Sequence, residues 1–178
     1  MKLQKINKEE YRKKMNLLLV SLVGSLALFA IVFGSILIEL FGSVGSVGSV
    51  TGEATGNFHL NVLGVILSVA LNAFIASRVK GHDYFKEALY VWNLKQTHNQ
   101  IYRKLKRIQP KAEQGDREAL TILYFYYTTQ KQVYDLDNNT LTIKTVQQSL
   151  DNIVELSEKW SIELDIIEAF SKDLVAKF

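Results

Sequence analysis

"NLLLVSLVGSLALFAIVFGSILI", residues 16–38, contains neither a charge nor a proline. Residues 17–40 include sixteen Leu, Ile, Val or Phe. As a helix this run rises roughly 36 Å, enough to cross a hydrocarbon core of about 30 Å with some tilt. Each such residue favours insertion by about 0.3–0.6 kcal/mol, which outweighs Glu39 near the end of the run. A secretory signal would share the basic start and the small "SVG" at residues 43–45, but its apolar core is about 7–15 residues long. Residues 17–41 are therefore expected to be a transmembrane helix.

A second apolar run, "LNVLGVILSVALNAFIAS", occupies residues 60–77. It covers about 27 Å as a helix, and residues 60–79 are expected to be the second span. The flanks set the orientation. The basic segment of residues 1–16 holds Lys2, Lys5, Lys8, Arg12, Lys13 and Lys14, while residues 42–59 hold no Lys or Arg. Arg78, Lys80 and Lys86 follow the second run. Lys and Arg gather on the cytoplasmic side, so both termini are expected there and the loop outside. That loop begins "GSVGSVGSVTGEATG", residues 42–56. Gly and Ser make it a flexible closure for a two-helix hairpin. Its triplets lack the proline of collagen, and it lacks the lysine of a P-loop.

Residues 82–178 differ in kind: after Val79 the chain carries 14 Lys/Arg and 14 Asp/Glu. The formal net charge of +3 is thus an average over unlike regions and gives no case for nucleic acid. Asp83 is expected to cap a helix along which Val91, Leu94, His98, Ile101, Leu105 and Ile108 form a seam, kinked or ended by Pro110. Gly115 suits the left-handed position after a helix, and Asp116 suits the cap of the next. The second helix carries "YFYY", residues 124–127, read as core aromatics with phenol groups at the rim. "DLDNNT" (residues 135–140) lacks the Gly and Glu of a calcium loop, so Asn138 and Asn139 read as a turn tolerating positive φ. From Thr142 a seven-residue apolar period continues through Leu150, Ser157, Leu164 and Phe178. It predicts a long helix in an antiparallel bundle or coiled coil, with an unmarked break near Trp160 as the alternative.

Two constellations stand out. Gly64, Ser68, Asn72 and Ala76 recur every four residues, a helix-contact face on which small residues admit close approach and Asn supplies a hydrogen bond. Such a face can close one hairpin, join copies in a homo-oligomer or line a polar pathway. Lys95, Arg103, Lys104, Lys106, Arg107 and Lys111 form a basic surface. It faces either the acidic stretch around Asp151, Glu155 and Glu158 or anionic lipid headgroups. The chain has no cysteine, and His59, His82 and His98 fit no metal spacing. His98, on an apolar seam, reads as a satisfied core histidine. No catalytic residue, metal site or cofactor is expected.

The start "MKLQKINKEEYRKKMN", the two apolar runs and the helical tail through "AEQGDREAL" resemble a family of small two-span bacterial inner-membrane proteins catalogued as a domain of unknown function. The resemblance implies a bacterial inner membrane and carries no functional motif. The expectation is an all-α membrane protein, a transmembrane hairpin followed by a cytoplasmic helical domain. It acts as a structural or adaptor protein for self-association or an unidentified partner. The alternative is a subunit of a small oligomeric channel or transporter.

Overall fold

The computed structural model describes residues 3–42, 56–164 and 170–178. The expected Gly-Ser-Val turn at residues 43–55 and the seam at residues 165–169 lie outside the described residues. Among the described residues every regular element is helical: α1 (Lys8–Phe41), α2 (Phe58–Val79), a 3-10 turn (Asp83–Phe85), α3 (Lys86–Tyr102), α4 (Leu105–Glu113), α5 (Arg117–Leu136), α6 (Thr140–Lys159) and α7 (Lys172–Ala176). They form two compact units, Lys13–Lys86 and Met1–Arg12 with Glu87–Phe178.

The unit Lys13–Lys86 pairs α1 with α2. Both helices are long and apolar enough to cross a membrane. The buried residues of α2 are Leu60, Gly64, Ser68 and Asn72, one every four residues and hence on one face. Gly64 lies opposite Gly34, Ser68 opposite Leu26 and Asn72 opposite Ser25, so the two helices run antiparallel. Apart from Leu60, most of the large apolar side chains point away from this contact: Val20 and Ile31 are each 70% exposed.

The other unit is built around α5, from which Leu120, Ile122, Leu123 and Phe125 enter the core essentially without solvent contact. Helix α3 contributes Val91, Leu94 and Ile101, and α4 contributes Ile108 and Ala112. Helix α6 adds Val146 and Ile153, and Phe170 stacks flat on Phe125 with ring centroids 3.6 Å apart.

Three helices of this unit end in the same way. After α4, α5 and α6 the chain turns through a left-handed residue, Gly115 (φ 84°), Asn138 (φ 58°) and Ser161 (φ 54°). Each turn is closed by paired backbone bonds, such as Asp116 N–H to the Lys111 carbonyl and Gly115 N–H to the Ala112 carbonyl, both 3.0 Å. These are Schellman ends, which satisfy carbonyls left over by the last helical turn. Asp116 then caps α5, accepting from the Ala119 N–H at 2.9 Å. Gly115 is constrained twice, because a Cβ there would also lie 2.6 Å from the Trp160 ring.

Several expectations are corrected. The long helix from Thr142 to Phe178 is instead α6, starting at Thr140 after Asn139 and ending at Lys159. Ser161 stops it by adopting the left-handed conformation, and in the terminal segment the buried side chains are Phe170 and Val175, not Ser171, Leu174 and Phe178 of the seven-residue period. The first helix of the unit breaks at Arg103 and Lys104, ahead of Pro110, which sits inside α4. Proline costs that short helix one backbone bond and is tolerated there. Asp83 does not cap α3; it opens the 3-10 turn, which His82 caps, and pairs with Lys86 at 2.8 Å.

Candidate functional site

Gly64, Ser68 and Asn72 are brought together against α1, while Ala76 is exposed and outside that contact. A Cβ on Gly64 would lie 2.7 Å from the Gly34 nitrogen and 3.2 Å from the Ala30 carbonyl oxygen, so the backbones touch. Close approach lets Ser68 Oγ donate to the Leu26 carbonyl at 2.8 Å. Ser25 Oγ donates to Asn72 Oδ1 at 2.6 Å, and Asn72 Nδ2 donates to the Ser68 carbonyl at 2.9 Å. Each partner of this small polar network is found within one chain.

The basic surface is divided. Lys95 pairs with Asp137 at 2.7 Å. Lys104 Nζ donates to the Val175 carbonyl at 2.7 Å and Arg107 Nη1 to the Phe178 oxygen at 3.1 Å. Lys111 lies 4.9 Å from the centre of the Phe178 ring. Three cations thus contact the terminal segment through its main-chain oxygens and its ring. Among the described residues no ion pair joins the basic surface to Asp151, Glu155 or Glu158. Arg103 and Lys106 are exposed.

Helices α3 and α5 frame an open cleft of about 470 Å³, lined among others by Lys95, His98, Tyr102, Tyr126 and Asp137. His98 Nε2 and Thr129 Oγ1 are 2.7 Å apart. Because Thr129 already donates to the Phe125 carbonyl at 2.7 Å, its oxygen accepts and His98 Nε2 carries the proton. Burial, with the Lys95 charge adding to it, pushes the imidazole pKa down to about 4, so His98 is neutral at pH 7. Burial likewise pushes the Tyr126 phenol up to about 12. Asp135 and Asp137 each meet a lysine.

Sequence reasoning missed one constellation. The Gln4 N–H donates to the Tyr90 phenol oxygen at 3.1 Å, and Gln132 Nε2 donates to the Gln4 carbonyl at 2.6 Å. Lys8 pairs with Asp135 at 2.9 Å, and Tyr11 is 3% exposed. The N-terminal segment is therefore a structural part of the unit that contains α3 to α7. Asn7 caps α1, accepting from the Glu9 N–H at 3.0 Å and the Glu10 N–H at 3.3 Å. Asn7 followed by Glu10 is the spacing of a capping box, and was the signal that α1 begins at Lys8.

A family described as "Protein of unknown function (DUF3087)" matches the chain over residues 1–175. No curated protein and no solved structure matches it.

Proposed function

We propose that this chain, which belongs to the DUF3087 family, is a membrane-anchored adaptor: a two-span hairpin in a bacterial inner membrane that presents a cytoplasmic helical domain to a partner. Apolar exposure supports the anchor. In the most apolar stretches of α1 and α2 only 6% and 17% of residues are buried, where a core helix of a soluble protein is mostly buried. Contiguous apolar surface on this scale is stable against lipid and not against water.

One observation carries the reading. Residues 4–11 are bonded to Tyr90, Gln132 and Asp135 of the domain that follows α2. The chain leaves that domain through α1 and returns to it after α2, so it crosses a bilayer an even number of times. The lysines and arginines flanking both runs assign that shared side to the cytoplasm. Asn72 supports anchoring over conduction, since its side chain is engaged by Ser25 and Ser68 of the same chain. The role assigned to the domain is binding. Its exposed surface carries Trp92 and Arg103, residue types enriched in protein contacts, together with the exposed apolar Leu141.

Photo-crosslinking in native membranes tests this. A photoreactive residue at Trp92, Arg103 or Leu141 is expected to give a discrete adduct with a different protein. Adducts only between copies, together with water-accessible Asn72→Cys, would contradict the adaptor and favour a channel.

A further inference from the structure

We propose that the end of the α1–α2 pair carrying Lys13, Lys14, Arg78 and Lys80 is a binding surface for the phosphate headgroups of anionic phospholipids. The inference rests on the membrane reading above and names the lipid partner of that anchor. The register of the pair fixes where the cations lie. Ser25 meets Asn72 and Leu26 meets Ser68, so the antiparallel helices bring residues 13–14 level with residues 82–84. Lys14 accordingly lies 5.9 Å from the centre of the Tyr84 ring. Within Lys13–Lys86 this end carries Lys13, Lys14, Arg78, Lys80 and Lys86; Lys86 engages Asp83 at 2.8 Å, and Lys13, Arg78 and Lys80 are exposed. At the opposite end Glu39 and His59 lie on the two helices, and no Lys or Arg is present there.

Level and chemistry together select the occupant. The exposed apolar band, including Leu17, Val20 and Val79, stops at these cations, the depth at which headgroup phosphates lie in a bilayer. Arg78 is exposed, with its guanidinium 5.0 Å over the Phe74 ring, one turn back along α2 towards the band. That position holds the planar donor at the boundary of hydrocarbon and phosphate, where a guanidinium forms paired hydrogen bonds to phosphate oxygens. Tyr84, the ring that Lys14 approaches, packs edge to face with Phe85 at 5.5 Å, aromatic side chains of the kind that sit at membrane interfaces. A zwitterionic headgroup brings its own cation to the same surface and gains less from it.

The test uses the full chain in nanodiscs of phosphatidylcholine with and without phosphatidylglycerol or cardiolipin, with retained lipid read by native mass spectrometry. Anionic lipid is expected to be retained over phosphatidylcholine. At about fivefold per cation, Arg78→Gln with Lys80→Gln should weaken that preference about 25-fold. Lys13→Gln with Lys80→Gln, which leaves Arg78 on Phe74, should weaken it similarly, and Lys106→Gln should not. Inorganic phosphate at matched ionic strength should not displace the lipid; displacement would identify a free-phosphate site and overturn the proposal. Equal retention of all lipids, or retention unchanged in both double variants, would overturn it too. Flotation with vesicles after alkaline wash separates the two claims. A chain that floats without anionic preference overturns this inference alone, and a chain that does not float overturns the anchor and its lipid surface together.

Discussion

Helix α5 and the α1–α2 pair use apolar residues in opposite ways. In α5, Leu120, Ile122 and Leu123 are at most 1% exposed, and Tyr126 is itself buried. In the pair, most Leu, Ile and Val face outward, and glycine, serine and asparagine, with Leu60, occupy the contact. The first arrangement is driven by removing apolar area from water, at about 25 cal/mol per Å². The second gains nothing from that term if its surroundings are themselves apolar. It must rely on close packing and hydrogen bonds between helices. Composition alone makes the two regions look alike; which residues are hidden tells them apart.

Truncation separates them most strongly. Phe125→Ala removes a side chain that is 1% exposed and leaves Phe170 without its stacking partner. A loss of about 3–5 kcal/mol is expected in chemical denaturation followed by circular dichroism. Ile31→Ala on the pair should leave the interhelical distance unchanged, since that side chain is 70% exposed. Enlargement should act the other way round. Gly64→Leu places atoms where the Gly34 backbone already lies and should weaken the contact by about 1–3 kcal/mol. Spin labels on cysteines at Ser21 and Ser77, in a chain with no native cysteine, would report the helices moving apart. An unchanged distance would show that the pair does not depend on backbone contact.

A titration sharpens the contrast. The His98 imidazole binds its proton near pH 6.5 when unfolded and only near pH 4 when buried. Its neutral packing therefore contributes fully above about pH 6.5. The contribution falls as pH drops from about 6.5 to about 4 and changes no further below, with a total of up to about 3 kcal/mol. Denaturation midpoints measured across that window should slope for the native sequence and flatten in His98→Asn. The smallest expected effect belongs to the pair: Asn72→Leu removes the bond from Ser25 and should cost about 0.6–2 kcal/mol in the same spin-label experiment.

The legible parts of the fold were those announced by local chemistry. Gly115 and Asp116 are residue types that favour a left-handed turn and a helix cap, and Asn138 tolerates positive φ; each adopts that geometry. Ser161 takes the same conformation with no such preference, so no residue type marks the break near Trp160 that ends α6 and the seven-residue period runs past it. The break at Arg103 and Lys104 likewise lacks a glycine or proline to mark it. For the surfaces, the four-residue spacing of Gly64, Ser68 and Asn72 was visible because helix geometry is local. The partners of Lys104 and Arg107 are about 70 residues away, and those of Gln4 and Lys8 are still more distant. No short-range pattern encodes such contacts, and the N-terminal lysines were read by charge alone.

The account depends most on the N-terminal segment and the α3–α7 unit lying on one side of a bilayer, with the α1–α2 connection on the other. Single cysteines replacing exposed Lys5, Gly56 and Ser171 test this with a membrane-impermeant thiol reagent on intact cells. Gly56→Cys is expected to be labelled at once, and Lys5→Cys and Ser171→Cys only after the inner membrane is permeabilised. Labelling of Ser171→Cys but not Lys5→Cys in intact cells, or the reverse, would contradict the two-span anchor and the docking of the N-terminal segment together.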